Sequence, residues 1–183
     1  MPDLGDTLLR LARRAITSRL GLPTQPLAID QPELQQPGAT FVTLTQHGEL
    51  RGCIGSLEAW RPLRRDVEEN AVAAAFRDPR FEPLDADELA ATRVEVSLLS
   101  SPENMHFSSE ADALAQLRPG MDGVIFTAGN FRSTFLPQVW NQLPDPAEFM
   151  AHLKKKAGLS ANFWGPTVQL ARYQVQKWKE NSC

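Results

Sequence analysis

Eight residues, Glu49-Leu50-Arg51-Gly52-Cys53-Ile54-Gly55-Ser56, constrain the fold of this chain more than any other stretch. They hold the only internal cysteine, set between two glycines with an arginine two residues before it. The preceding Ala39-Thr40-Phe41-Val42-Thr43-Leu44-Thr45 is rich in β-branched and aromatic residues, and His47-Gly48 reads as a hairpin turn. The eight residues are therefore read as the second strand of a hairpin. In a regular strand, Leu50, Gly52 and Ile54 share one face, while Arg51, Cys53 and Gly55 share the other, so guanidinium and thiol point the same way. A glycine inside a strand marks a bulge or a close approach of another backbone or a ligand, and two of them flank Cys53.

The rest of the chain supplies helices and further hairpins. Leu4, Leu8, Leu11, Ala15 and Leu20 keep a helical rhythm over residues 1–20, punctuated by Arg10, Arg13, Arg14 and Arg19 and ended by Gly21 and Pro23. The arginines are either a basic stripe for an acidic partner or a solvated face, the commoner reading of a charge run. Residues 22–38, with four prolines and four glutamines, read as an extended connection that wraps the surface or rims a site. A second helix opens at Pro62 and stops before Asp78-Pro79, since the residue ahead of a proline disfavours α geometry. Asp85-Ala86-Asp87-Glu88 has the form of a capping box. Residues 93–99 alternate, with Val94, Val96 and Leu98 on one face and Glu95, Ser97 and Leu99 on the other.

Further along, Ser108 or Ser109 caps a short helix ending at Leu117. Val124–Thr127 and Phe131–Leu136 form a hairpin about Gly129-Asn130. Asp145 caps a helix that begins at Pro146, with Lys154, Lys155 and Lys156 near its end, and Gly158 stops it. Residues 168–175 read as one last strand before Trp178. Hairpins separated by helices, without βαβ alternation, define an α+β fold with a mostly antiparallel sheet.

Composition excludes several classes. A length of 183 residues suits one domain, or one domain with a small lobe, and 42% hydrophobic against 22% charged residues suits a globular chain. A formal charge of −3 gives no support to a general nucleic-acid binder. No run of 18 apolar residues offers a membrane span, and the first residues lack the pattern of a secretory signal. Cys53 and Cys183 are the only cysteines, which excludes a disulfide scaffold and makes a reducing cytoplasm the default, with a Cys53–Cys183 bridge left open. No paired-cysteine or paired-histidine spacing suggests a metal site, and no glycine-rich phosphate loop suggests a nucleotide cofactor.

The chemistry therefore centres on Cys53. It is either a nucleophile, helped by Arg51 on its face and by backbone N–H groups of a Gly-Cys-Ile-Gly bulge, or a small buried hydrophobe. Arg51 is equally placed to clamp a carboxylate or phosphate. A nucleophile needs a base, and only His47, His106 and His152 are present. Asp78 and Arg80 pair with each other or with Arg51, or simply build an Asp-Pro turn. Glu95 is an acid/base if its strand face looks into a cleft, and an ordinary exposed residue if it looks at water.

Leu50-Arg51-Gly52-Cys53-Ile54-Gly55 resembles the signature hexapeptide of the AMMECR domain family, whose prokaryotic members are called AmmeMemoRadiSam system protein A. Ala73–Phe81, Val94–Leu99, Pro119–Gly123 and Thr134–Trp140 resemble further blocks of that family in the same order, and the likeness runs from the first helix to Trp178. The resemblance implies one AMMECR-type domain over residues 1–183, of the α+β class, with a larger and a smaller lobe. The residues themselves point to a site with Cys53, Arg51 and Glu95 as chemical groups and Gly52, Ile54, Gly55, Asp78 and Arg80 as substrate contacts. The resemblance also implies company, namely a Memo-like protein and a radical SAM protein. An enzyme or enzyme subunit working on a small or modified substrate is one expectation. A ligand-binding or adaptor module without chemistry is the other.

Overall fold

A computed structural model describes residues 2–181. The chain divides into two compact units, one running through Leu99 and resuming at Gln176, the other spanning Ser100–Val175. The expected α+β class with a larger and a smaller lobe is what the structure has.

In the larger unit, helix α1 (Leu4–Arg19) and helix α2 (Leu63–Phe76) pack on a four-stranded sheet. The sheet runs in the order β2 (Glu49–Gly55), β1 (Ala39–Gln46), β3 (Thr92–Leu99), β8 (Val175–Lys179). β1 lies antiparallel to both β2 and β3. Leu8, Leu11 and Ile16 of α1 meet Val67, Ala71 and Ala74 of α2 and Val42, Leu44, Val94 and Val96 of the sheet in one buried cluster. Burying each of the larger side chains contributes about 1.5–3 kcal/mol. The alanines of α2 let that helix sit close on the strands.

A buried carboxylate ties this layer together. Asp66 of α2 is fully buried and accepts hydrogen bonds from Thr40 N and Oγ1, Ser56 Oγ, Arg61 Nε and Asn70 Nδ2. It joins the start of β1, the end of β2 and the loop before α2, and so fixes the strand that carries Cys53. An apolar-stripe reading of α2 does not find it, because aspartate counts there as an outward polar residue.

The smaller unit holds a sheet in the order β4 (Glu103–Asn104), β7 (Val168–Tyr173), β5 (Gly123–Ala128), β6 (Phe131–Phe135). Helices α3 (Glu110–Gln116) and α4 (Pro146–Lys156) belong to the same unit, and Trp140 stacks on Phe149 of α4 with ring centroids 3.8 Å apart. Ser109 and Asp145 cap α3 and α4 as expected, and Asp85 and Glu88 form the capping box over a 3₁₀ turn.

One expectation needs correction. Residues 168–175 are not one strand: Gln174 gives its N–H to Ser100 Oγ and its carbonyl accepts Ser100 N–H, so the ladder breaks there and β8 enters the other sheet. Lys154 lies near the end of α4, as expected, and is buried there. It is 1% exposed, bonded to Glu110 Oε1 and placed over the Trp164 ring. The open question of a Cys53–Cys183 bridge falls outside the described residues.

Candidate functional site

The hairpin turn is tight. His47 and Gly48 both have positive φ, 52° and 81°, the pair of left-handed residues that matches the twist of a two-residue hairpin. Gln46 lies opposite Glu49 and Thr45 opposite Leu50. Continued regularly, that register would set Leu44 opposite Arg51 and Val42 opposite Cys53. Opposite residues share a face, so the guanidinium and the thiol would enter the core with Leu44 and Val42.

A bulge prevents this. Leu44 lies opposite Gly52, so Arg51 is the extra residue on β2, and from there Thr43 faces Cys53, Val42 faces Ile54 and Phe41 faces Gly55. The bulge thus falls at Arg51, and the Gly-Cys-Ile-Gly run expected to be irregular is regularly paired. Gly52 now sits on the core face. A Cβ there would lie 2.2 Å from the Ala74 carbonyl oxygen of α2, so only glycine allows helix and strand to approach this closely. Cys53 is turned to the opposite face and is half-buried.

On that face a polar row crosses the sheet. Cys53, Thr43 and Glu95 are successive cross-strand neighbours on β2, β1 and β3. Cys53 Sγ and Thr43 Oγ1 are hydrogen-bonded at 3.3 Å, and Glu95 Oε2 lies 3.3 Å from Lys179 Nζ. The Glu95 side chain keeps 17% of its surface, and Ser97 and Leu99 on the same face are buried, so this face does not simply look at water.

The main chain of Cys53 is held from the free edge of the sheet. Its N–H donates to Asp78 Oδ2 at 3.0 Å, and its carbonyl accepts from Arg80 Nη2 at 3.5 Å. Both groups point away from β1, so Thr43 and Cys53 form a non-hydrogen-bonded pair, the closer of the two antiparallel spacings, which explains their side-chain contact. Asp78 is 4% exposed and receives Arg80 Nε and Nη2 at 3.0 and 2.8 Å. The Arg80 guanidinium, with the N–H groups of Cys53 and Arg80, holds the Asp78 carboxyl far below the usual carboxylate range. The Asp-Pro-Arg-Phe turn therefore does the work of a neighbouring strand at this one residue, and it blunts an edge open to pairing. The Cys53 N–H, expected to be free for an oxyanion, is already taken.

Arg51 is committed elsewhere. Its Nε and Nη2 reach Glu88 at 3.1 and 3.3 Å, and Nη2 donates to the Glu82 carbonyl at 2.7 Å. Among the described residues its ion-pair partner is Glu88, not Asp78 or Glu95. Arg51, and then the Asp85 N–H, hold the Glu88 carboxyl below its ordinary value. Arg51 and Arg80 both lie against the Phe81 ring, 5.8 and 5.5 Å from its centroid. Residues 78–88 thus wrap the bulge and the cysteine together.

Of the residues read from the sequence, the structure gathers Cys53, Gly52, Ile54, Gly55, Asp78 and Arg80 at one place, with Glu95 in the same row. Arg51 is adjacent in chain and engaged with Glu88. Thr43, Glu88 and Lys179 were not anticipated. Thr43 was hidden because a regular register puts it opposite Gly52. Among the described residues the thiol's hydrogen-bond partner is a threonine hydroxyl and not an imidazole; His47 is exposed at the turn, and His106 and His152 belong to the smaller unit. No group of three or more metal-ligating side chains occurs among the described residues. No described helix is long and apolar enough to cross a membrane.

The carboxylates of this wrap make a pH prediction. Asp78 and Glu88 titrate lower in the folded state than in the unfolded chain. Each therefore contributes stability that is fully present above the unfolded carboxylate value of about 4 and is lost as pH falls through the lower folded value. Melting temperature should drop on acidification below about pH 4, and Asp78→Asn should flatten that limb.

The AMMECR1 family profile matches residues 9–178, and the chain belongs to that family. It is 40% identical to a protein of Methanothermobacter thermautotrophicus over 98% of this chain and 95% of that one. It is 36% identical to a protein of Saccharolobus solfataricus over 97% of this chain and 82% of the other. The crystal structure of PH0010 from Pyrococcus horikoshii superposes with a TM-score of 0.81 at 34% identity, covering 96% of this chain and 91% of that one.

Proposed function

We propose that the protein is a thiol-dependent enzyme or enzyme subunit in which Cys53 meets a small or modified substrate on the face of the larger sheet opposite its helices. One observation carries the reading: the peptide group on each side of Cys53 is fixed by the Asp78–Arg80 pair, while Cys53 as a residue is half-buried and its side chain faces away from the core. A cysteine serving only as core filler needs neither. Fixing the main chain orients the thiol in advance, so less conformational freedom is lost when a reacting group arrives. Glu95 and Lys179 supply opposite charges in the same row for the polar part of a substrate. The family resemblance supports work alongside Memo-like and radical SAM proteins, and the free thiol suits a reducing cytoplasm.

A second reading, a ligand-binding or adaptor module, is favoured by a different observation. Leu50, Leu57 and Trp60 are exposed on and just after β2, Trp60 to 70%, although their side chains are large and apolar. The two readings separate cleanly. Cys53→Ser should keep the melting temperature within a few degrees and abolish function in a cell that depends on the protein. Trp60→Ala should leave function intact. If Trp60→Ala abolishes function and Cys53→Ser does not, the adaptor reading replaces the thiol reading.

A further inference from the structure

The thiol site uses none of the arginines of α1, which the sequence presents as a basic stripe or a solvated face. In the structure three of them line a cleft of about 470 Å³ between α1, the connection after it and the end of the chain past β8. Pro23, Thr24, Gln25 and Leu27 of the connection over residues 22–38 form one wall of this cleft. We propose that this cleft binds a small organic anion, its carboxylate or phosphate head on Arg10 and Arg14 and its apolar body on Leu9, Pro23 and Leu27.

The volume falls in the range of small-molecule sites, about 300–1,000 Å³. The lining mixes apolar walls with Arg10, Arg13, Arg14 and Lys179 against Asp6 and Glu180, in a chain that is net negative overall, and Lys179 is paired with Glu95. One of those acids, Glu180, is already spent: it pairs with Arg13 through both carboxylate oxygens and accepts the Val94 N–H. Arg13 also donates to the Thr92 carbonyl, so this pair closes the side of the cleft towards β3 and presents no net charge.

Arg10 and Arg14 differ from Arg13. They stand one helical turn apart, where side chains are neighbours on a helix surface, so both forks can reach one anion. Arg14 gives its Nε–H to the Gln25 carbonyl at 3.0 Å, which aims the guanidinium while leaving its terminal N–H groups for a ligand. Among the described residues Arg10 has only Asp6, at 3.9 Å, with both side chains more than half exposed. Such a pair contributes little and yields to a better oxyanion. Two arginine forks match the planar or tetrahedral oxygens of carboxylate and phosphate. The Pro23-to-Leu27 segment supplies apolar contact opposite the helix, and Arg14 anchors it there.

The test uses the full chain and three probes: phenyl phosphate, benzoate and the neutral benzyl alcohol. Binding is followed by two-dimensional amide NMR at residues 9–27. At least one of the two anions should bind saturably, with shifts confined to this cleft, and the tighter anion identifies the head group. Benzyl alcohol should not bind. Arg10→Glu removes no buried contact, so it should fold normally and weaken anion binding at least tenfold; Arg14→Ala should do the same. Absence of saturable binding by either anion, equal binding of benzyl alcohol, or unchanged affinity in both variants would each overturn the proposal. The reactivity of Cys53 should be the same in all of these proteins, so this result and the thiol reading stand or fall separately.

Discussion

Gly52→Ala is expected to be strongly destabilising. The new Cβ would lie 2.2 Å from the Ala74 carbonyl oxygen. The obstacle is backbone on a buried helix, so no side chain can rotate away. Relief requires α2 to lift from β2, which opens contacts of Ala71, Ala74 and Ala75 with the core. Overpacking of this kind costs about 3 kcal/mol. For a chain of this size that is a drop of roughly 10 °C in melting temperature. Thermal unfolding followed by circular dichroism reads it directly. A loss under about 2 °C would mean that the helix does not sit on the strand as described.

Asp78→Ala is the second large effect, and it differs in kind. Arg80 is 55% exposed, so when its partner is removed the guanidinium returns to water at little cost. The loss falls instead on the Cys53 N–H, whose acceptor is gone at a shielded sheet edge. An unmet donor together with lost charge-assisted bonds costs about 2–3 kcal/mol. The same change frees the main chain on one side of Cys53, so function should fall even at temperatures where the variant is folded. Arg80→Ala removes two charge-assisted hydrogen bonds as well as the contact to the Cys53 carbonyl, and it leaves the buried Asp78 carboxylate with only the backbone N–H groups of Cys53 and residue 80, so its effect on stability should be comparable to that of Asp78→Ala. Equal stability of wild type and Asp78→Ala would show that the turn is not what holds the cysteine.

These two residues also mark what was legible in the sequence. The hairpin, the capping residues and the α+β class follow from local chemistry, because propensity, turn geometry and caps act within a few residues. The importance of the glycine flanks was legible too, but not their separate tasks: Gly52 answers to a helix twenty residues on, and Gly55 to the Phe41 ring across the strand. The face of the thiol came out as alternation within the strand predicts, but for a reason alternation does not contain. Counting back from the two-residue turn sends Cys53 inward, and only the bulge at Arg51 turns it out. At that bulge Arg51 is held by Glu88 and the Glu82 carbonyl, contacts made more than thirty residues away. The split of residues 168–175 between two sheets was hidden similarly, since Ser100 supplies the hydrogen bonds at the break.

The central claim is that Cys53 is held still by its backbone while its thiol stays within reach of solvent. The most direct test is the rate of iodoacetamide alkylation of Cys53 in a Cys183→Ala background, measured on the folded protein and in denaturant. The account predicts labelling of the folded protein within about tenfold of the unfolded rate, at a speed that does not track global stability. A buried thiol would react only through opening of the fold, slower by a factor on the order of 1,000 or more. Labelling that slow, and accelerated in step with destabilising substitutions, would contradict the account and make Cys53 a packing residue.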